Sequence, residues 1–325
     1  MKKIAVVMGG YTKECLISIK SGTAVYNHLS RSEFEPYRVY IFNDNKWLLK
    51  DDNNKEYHIN KHDFSVKIGN KTIKFDCVFN VIHGTPGEDG ILQAYFKLLK
   101  IPCTGSIFHH SNVTFNKKYC LTFLKNFDIH TAKFLFINKK KIFDKKKIIK
   151  KIGLPCFIKP NRSGSSIGIS KVYKENELLF AIEKAFQEDE EIIVESFLDG
   201  KEISVGVFSY KGEIFVLPIT EIISQNDFFD FESKYSGKSK EITPAKLLPD
   251  IEKKVHDIAK KVYEIFNLSG MSRSEYIIVN GEPYFLEINT IPGLSKDSIF
   301  PKQLESAGIS LSSFFRKMIY SSIEE

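Results

Sequence analysis

Two strand-like runs near the C-terminal end hold the residues best suited to chemistry. Tyr284-Phe285-Leu286-Glu287-Ile288-Asn289 carries a carboxylate and, two residues later, an amide. Residues i and i+2 of a strand point to the same side, so Glu287 and Asn289 offer oxygens to one point in space. Upstream lies Arg273-Ser274-Glu275-Tyr276-Ile277-Ile278-Val279, followed by Asn280-Gly281. Asn-Gly between two apolar runs is a strong hairpin signal, and pairing the runs would bring Glu275 beside Glu287. Two carboxylates and an amide oxygen suit a hard cation such as Mg²⁺, whose shell substrate phosphates usually complete. Acids inside apolar runs are costly when unused, which weighs against a plain surface hairpin.

A second group lies at Lys159-Pro160-Asn161-Arg162-Ser163-Gly164-Ser165-Ser166-Ile167-Gly168. A lysine ends a strand and a Gly/Ser loop returns to another. Small residues let backbone N–H groups approach an anion, and hydroxyls add donors. It is not a P-loop, because the G-x-x-x-x-G-K-[ST] order is missing and a strand follows. On its own the segment reads equally as an ordinary hairpin loop. A third group is Glu191 to Glu202, an apolar strand ending at Glu195 and a short linker. Linker backbone groups can pair with a flat base edge, Phe197 and Leu198 can wall the base, and carboxylates beyond can accept from ribose hydroxyls. Read alone, these are also ordinary surface acids.

The elements that must position these groups are legible from alternation. The first hundred residues alternate strand and helix: strand Lys3 to Met8, helix Ser18 to Leu29, strand Tyr37 to Ile41, strand Lys74 to Ile82, helix Ile91 to Leu99 and a short strand Ile101 to Thr104. The pattern predicts a doubly wound parallel sheet, with polar residues 43–71 as an irregular hairpin. Beyond residue 105 come helix Asn116 to Leu124, strands Lys133 to Ile137, Phe157 to Lys159 and Ile169 to Val172, helix Glu175 to Gln187 and strand Glu191 to Glu195. Then follow strands Lys201 to Tyr210 and Gly212 to Ile222, helix Asp250 to Phe266 and the hairpin. We place boundaries near residues 105 and 196, giving segments 1–105, 106–196 and 197–325.

Composition sets limits on function. The 325 residues, 42% hydrophobic and 27% charged, read as a globular chain with a large core. No apolar stretch approaches the roughly 20 residues of a membrane helix, and Met1 to Gly10 reads as a buried first strand rather than a signal peptide. Five widely spaced cysteines form neither a metal pattern nor a disulfide framework, which predicts a cytoplasmic protein. The net charge of +7 derives largely from lysine runs such as Lys139-Lys140-Lys141 and Lys145-Lys146-Lys147. Without a nucleic-acid motif these read as a solvated helix face or loop, and no nucleic-acid partner is expected.

Taken together, the lysine strand, Gly/Ser loop, Glu-ended linker and E-x-N hairpin resemble the ATP-grasp fold. The N-terminal third narrows the match. Gly9-Gly10, Glu14, Ser18, Ser21-Gly22, His83-Gly84, Gly87-Glu88-Asp89-Gly90, Gln93, Thr104-Gly105-Ser106, Lys117, Lys234-Tyr235, Arg273 and Asn289-Thr290-Ile291-Pro292-Gly293 are similar to the D-alanine–D-alanine ligase family from about residue 3 to 310. The resemblance implies an N-terminal α/β domain followed by a two-lobed ATP-grasp fold. The implied activity is ATP-dependent joining of two D-alanines through an acyl phosphate, for peptidoglycan precursor synthesis.

The resemblance also implies site roles. Lys117 and Lys159 fall at the ATP-phosphate lysines. Glu195, Ser196, Phe197, Leu198, Glu202 and Leu286 fall at the nucleotide site, with Glu202 as the ribose carboxylate. Glu275, Glu287 and Asn289 fall at ligands for two Mg²⁺ (or Mn²⁺) ions, and Arg273 and the Gly293 N–H at the oxyanion donors. Glu14 would bind the ammonium of the first D-alanine, linked to Ser165 and Tyr235, with His83 in the same pocket. Lys234 and Ser298 would contact the carboxylate of the second D-alanine. The polar segment Ser224 to Thr243 would be a lid, and relatives are commonly homodimers. Three positions depart from the pattern: Glu275 replaces a common aspartate, Cys15-Leu16-Ile17 replaces more polar residues, and Asn116 replaces an aspartate before the phosphate lysine. The weighed alternatives are a ligase accepting D-lactate or D-serine, and a nucleotide-binding protein without turnover.

Overall fold

The computed structural model describes residues 1–44, 46–224 and 239–324. The chain starts with β1 (Lys2–Gly10), α1 (Cys15–His28), β2 (Phe34–Phe42), β3 (Trp47–Lys50), β4 (Glu56–Asn60), β5 (Ser65–Ile68), β6 (Lys71–Ile73), β7 (Cys77–Asn80) and α2 (Ile91–Leu98). These strands form one seven-stranded sheet in the order β6-β5-β4-β3-β2-β1-β7. Ile4 to Met8 is buried throughout, as expected of a central strand covered on both faces. β1 runs parallel to β2 and β7. The β2–β6 edge is antiparallel, so residues 43–71 extend the sheet instead of forming a separate irregular hairpin. The expected strand at 101–104 shrinks to a single parallel bridge, Val78 to Cys103.

The middle of the chain adds α3 (Phe108–Phe115), α4 (Lys117–Leu124), β8 (Phe134–Asn138), α5 (Lys145–Ile152), β9 (Cys156–Pro160), β10 (Ser170–Val172), α6 (Leu178–Ala185) and β11 (Glu191–Ser196). Its four strands form an antiparallel sheet, β10-β9-β11-β8. The lysine run lies on α5, which buries Ile148 and Ile152 and is capped where the Asp144 side chain accepts the Lys146 and Lys147 N–H groups. The lysines are therefore the solvated side of an amphipathic helix.

The last stretch comprises β12 (Lys201–Tyr210), β13 (Glu213–Val216), β14 (Thr220–Ser224), β15 (Ser239–Ile242), α7 (Pro249–Ile265), β16 (Met271–Val279), β17 (Glu282–Asn289), α8 (Ile299–Ser306) and α9 (Leu311–Glu324). The third sheet runs β15-β14-β12-β16-β17, with β13 on β12. The expected strand 212–222 is two strands because Pro218 cannot donate to a ladder. α7 begins with Pro249 and buries Val255, Ala259, Val262 and Tyr263 at helical spacing against this sheet. α8 and α9 insert Phe300, Phe314 and Phe315 between β1/β7 of the first sheet and Phe208 of the third. Truncating one such fully buried phenylalanine costs about 3–5 kcal/mol. That shared core joins the N-terminal sheet to the C-terminal lobe, and the site lies along the junction.

Candidate active site

The hairpin forms as its sequence predicts. Asn280 and Gly281 both take positive φ, 51° and 81°, as a type I′ turn requires. Glu275 pairs with Glu287, and Arg273 with Asn289. A register shift then sets Tyr276 opposite Phe285, leaving Leu286 as an extra residue. On a regular strand Leu286 and Glu287 would face opposite sides; the bulge lets both face the same cleft. Among the described residues no three His, Cys, Asp or Glu side chains converge as a metal site. Two carboxylates and an amide instead offer an incomplete oxygen set, which fits Mg²⁺ completed by phosphate oxygens.

Three cations oppose these acids. Lys117 Nζ lies 3.2 Å from Glu287 Oε2 and donates to the Ser163 carbonyl at 2.9 Å. Lys159 Nζ lies 2.6 Å from Glu195 Oε2, and Arg273 Nη2 is 2.8 Å from Glu275 Oε1. Burial on its own would lower the Lys159 pKa, but Glu195, with Glu287 and Glu202 farther off, raises it above the usual value. Asn116 has a definite role despite departing from the family pattern. Its Oδ1 caps α4 at the Tyr119 N–H and accepts from Asn161 Nδ2, while Asn161 Oδ1 accepts the Lys118 N–H. These three hydrogen bonds fix the start of the helix bearing Lys117 against the loop that leaves Lys159.

The Gly/Ser loop reaches across to the N-terminal sheet. Ser165 Oγ donates to Glu14 Oε1 at 2.5 Å. A Cβ on Gly164 would lie 2.8 Å from both Glu14 oxygens, so any side chain there would push the Glu14 carboxylate aside. Ser165 and Ser166 hold left-handed φ values of 49° and 58°, strain of a kind that concentrates at binding sites. Glu14 precedes α1, whose Ser18 hydroxyl accepts the Gly9 N–H and donates to the Val81 carbonyl. His83 Nδ1 donates to the Ile291 carbonyl at 2.8 Å. Burial lowers the His83 pKa, against the pull of Glu14.

Three openings meet at Glu287. Glu14, His83, Ser165, Arg273, Asn289, Gly293 and Ser298 line the first with it. Lys117, Ser163 and Gly164 line the second, a narrow passage. Lys159, Glu195, Ser196, Phe197, Leu198, Glu202, Glu275 and Leu286 line the third, a cleft between the second and third sheets. Lys234 and Tyr235 lie outside the described residues, as do residues 225–238 of the lid expected over Ser224 to Thr243, whose last part is strand β15.

Sequence reasoning assigned no role to several residues that line the site, Phe157, Ile277 and Glu88 among them. Phe157 and Ile277 supply apolar wall to the cleft; nothing in their local pattern separates them from ordinary strand residues. Glu88 lines both the first opening and the passage. Burial, reinforced by Glu14, pushes its carboxyl up to about 8. Its place inside Gly-Glu-Asp-Gly was the available signal.

Comparison with known proteins follows this geometry. Residues 3–106 match the family model described as D-ala D-ala ligase N-terminus, and residues 123–320 the model of the C-terminus. A D-alanine–D-alanine ligase of Flavobacterium johnsoniae is 53% identical over 98% of this chain and 98% of that protein. The D-Ala:D-Ser ligase of Enterococcus faecalis superimposes with a TM-score of 0.85 at 31% identity, covering 99% of both chains. A D-alanine–D-alanine ligase of Bacillus anthracis solved with ATP gives 0.79 at 25% identity, over 100% of this chain and 98% of that one.

Proposed function

This chain belongs to the D-alanine–D-alanine ligase family, and from that premise we propose how its residues carry out the ATP-dependent joining of two D-alanines. The protein is a ligase that forms D-alanyl-D-alanine through an acyl phosphate, for peptidoglycan precursor synthesis. One observation carries the residue-level reading: Glu287 borders the Glu14 pocket, the Lys117 passage and the Lys159 cleft at once. A triphosphate in the cleft would then end beside the carboxylate of an amino acid in the pocket.

The nucleotide base lies against Phe197, Leu198 and Leu286, with linker groups at Glu195 and Ser196, and Glu202 takes the ribose. Lys159 and Lys117 exchange their carboxylate partners for phosphates. Glu275, Glu287 and Asn289 would hold Mg²⁺, which neutralises phosphate charge during transfer. Glu14, kept in place by Ser165, binds the ammonium of the first D-alanine and leaves its carboxylate facing the phosphate. The second D-alanine, held through Ser298, attacks the acyl carbon as a free amine. Arg273 and the Gly293 N–H receive the oxyanion, and phosphate leaves. The roles that the resemblance implies for Lys234 and Tyr235 fall on residues outside those described.

Purified protein with ATP, Mg²⁺ and D-alanine should release phosphate and D-alanyl-D-alanine; D-alanine-independent phosphate release alone would defeat this reading. D-serine and D-lactate offered as acceptors define the second subsite, and D-alanine should be preferred near neutral pH. We assign one lobe to each sheet, 1–105, 106–196 and 197–325. We also infer a homodimer, since Ile91, Leu98 and Phe108 are each exposed apolar side chains on α2 and α3; a monomer mass by light scattering would exclude it. The five free cysteines support a reducing cytoplasm, and no helix among the described residues is long and apolar enough to cross a membrane.

A further inference from the structure

The Gly293 N–H lies in a segment held mainly from the other end of the chain. His83 donates to the Ile291 carbonyl across 208 positions of sequence. With that proton on Nδ1, the neutral ring accepts at Nε2, where Ser21 Oγ lies 3.3 Å away. The same hydroxyl oxygen accepts the Leu294 N–H at 3.0 Å. Glu88 braces the turn that carries His83: its Oε2 accepts the Gly84 N–H at 3.1 Å, and its carboxyl lines the same pocket as Ile291 and Gly293. The Ile291 carbonyl and the Leu294 N–H are thus gripped by His83 and Ser21 of the N-terminal domain, with Glu88 behind the His83-Gly84 turn.

Glu88 is 6% exposed, and a carboxyl so deeply buried is expensive without a purpose. It has no part in the chemistry assigned above. It does not hold Lys117, Lys159 or Glu275, which stand on other elements with partners of their own. Ile291, in contrast, is two residues from Gly293.

We propose that Glu88 is a positioning residue for the acyl-transfer half of the reaction: by bracing the Gly84 N–H it holds His83 on the Ile291 carbonyl and so sets the Gly293 N–H over the acyl carbon. The inference rests on the ligase reading and adds to it. Without Glu88 the acyl phosphate still forms, because the phosphate cations are untouched. The second amine then competes less well with water, whose attack on the acyl carbon returns D-alanine and phosphate with no dipeptide.

Phosphate and dipeptide are measured in the same reaction for native protein, E88A and E88Q, with Mg²⁺, ATP and D-alanine. Native protein should yield one phosphate per dipeptide. For E88A, dipeptide formation should fall about tenfold or more, short of the ~10²–10³-fold that removal of an oxyanion donor causes. Phosphate release should fall less, so the ratio rises above one while the KM for ATP stays unchanged. E88Q keeps an acceptor oxygen and resembles the neutral acid that burial favours, so its ratio should return toward one. A ratio that stays at one in E88A, with both products falling together, would overturn the proposal, as would an E88Q ratio no better than that of E88A. Failure of native protein to make dipeptide would remove the ligase reading, and this inference with it, before any variant is compared.

Discussion

The pocket around Glu14 and the cleft around Lys159 are built on opposite principles. Around Glu14, His83 and Glu88 the polar groups are buried and tied by hydrogen bonds to backbone and hydroxyl groups: Ser165 to Glu14, His83 to Ile291, Gly84 to Glu88. Across the cleft and passage the polar groups are paired charge to charge, Lys159 with Glu195 and Lys117 with Glu287, and at their border with the pocket Arg273 pairs with Glu275 of the cleft. A pocket held by neutral and backbone bonds is set before its ligand arrives. A cleft held by ion pairs contains groups whose partners an anionic ligand can replace. On the proposed assignment the small substrate would meet a preformed site, which its few binding groups require, while the nucleotide would rearrange charges with its own.

The largest test falls on the charged side. R273A should lower kcat for dipeptide formation by about 10²–10³-fold. R273K should recover only part of it, since an ammonium cannot reproduce the planar fork. Retention of kcat within tenfold in R273A would deny that the charged side acts on the oxyanion.

Next comes a change confined to the preformed side. G164A places a methyl 2.8 Å from both Glu14 oxygens. Overpacking of this kind costs about 1–3 kcal/mol, so the KM for the first D-alanine should rise about tenfold or more with the KM for ATP little altered. Equal change in both constants would erase the distinction between the regions.

A third test uses pH. The Glu88 carboxyl titrates near 8 in the folded protein against a reference of 4.5. Between those values the folded state binds more protons than the unfolded state, so Glu88 makes stability fall as pH rises. Relative to native protein, E88Q should therefore gain in melting temperature from pH 5 to pH 8. A constant difference would mean that the carboxyl is not held in its neutral form. The smallest effect is expected at the rim, where the Lys13–Glu188 pair spans the two sides with Lys13 66% exposed. K13A should cost less than about 1 kcal/mol and leave kcat unchanged, as thermal melts and steady-state assays would verify.

Legibility in the sequence differed between the same two regions. The hairpin was readable because Asn-Gly dictates a turn and pairing follows from its length; the Glu275–Glu287 juxtaposition needed nothing more. The bulge at Leu286 was not, since a shift of one residue depends on what packs on each face. α3, Phe-His-His-Ser-Asn-Val-Thr-Phe, escaped notice because its residues are mediocre helix formers and its stability comes from packing on α4 and β17. Residues 212–222 read as one strand because apolar alternation hides the effect of Pro218. The functional stretches of the N-terminal third were legible only through resemblance. Glu14, His83 and Glu88 lie on a helix start and a tight loop, where no periodicity points to chemistry.

From residue types and spacing alone, this chain determined its hairpin ligand set, its lysine-tipped strand, its Gly/Ser loop and the alternation that builds the N-terminal sheet. Those are local properties, set by turn geometry, side-chain period and the need of small residues for close approach. Only the tertiary structure decided that Glu287 would border three openings, that Gly164 would press on Glu14, and that Glu88 would be shut from water behind the His83-Gly84 turn. Each depends on elements far apart in the chain meeting around a shared core of α8 and α9, and burial and charge pairing acquire values only when those distances do.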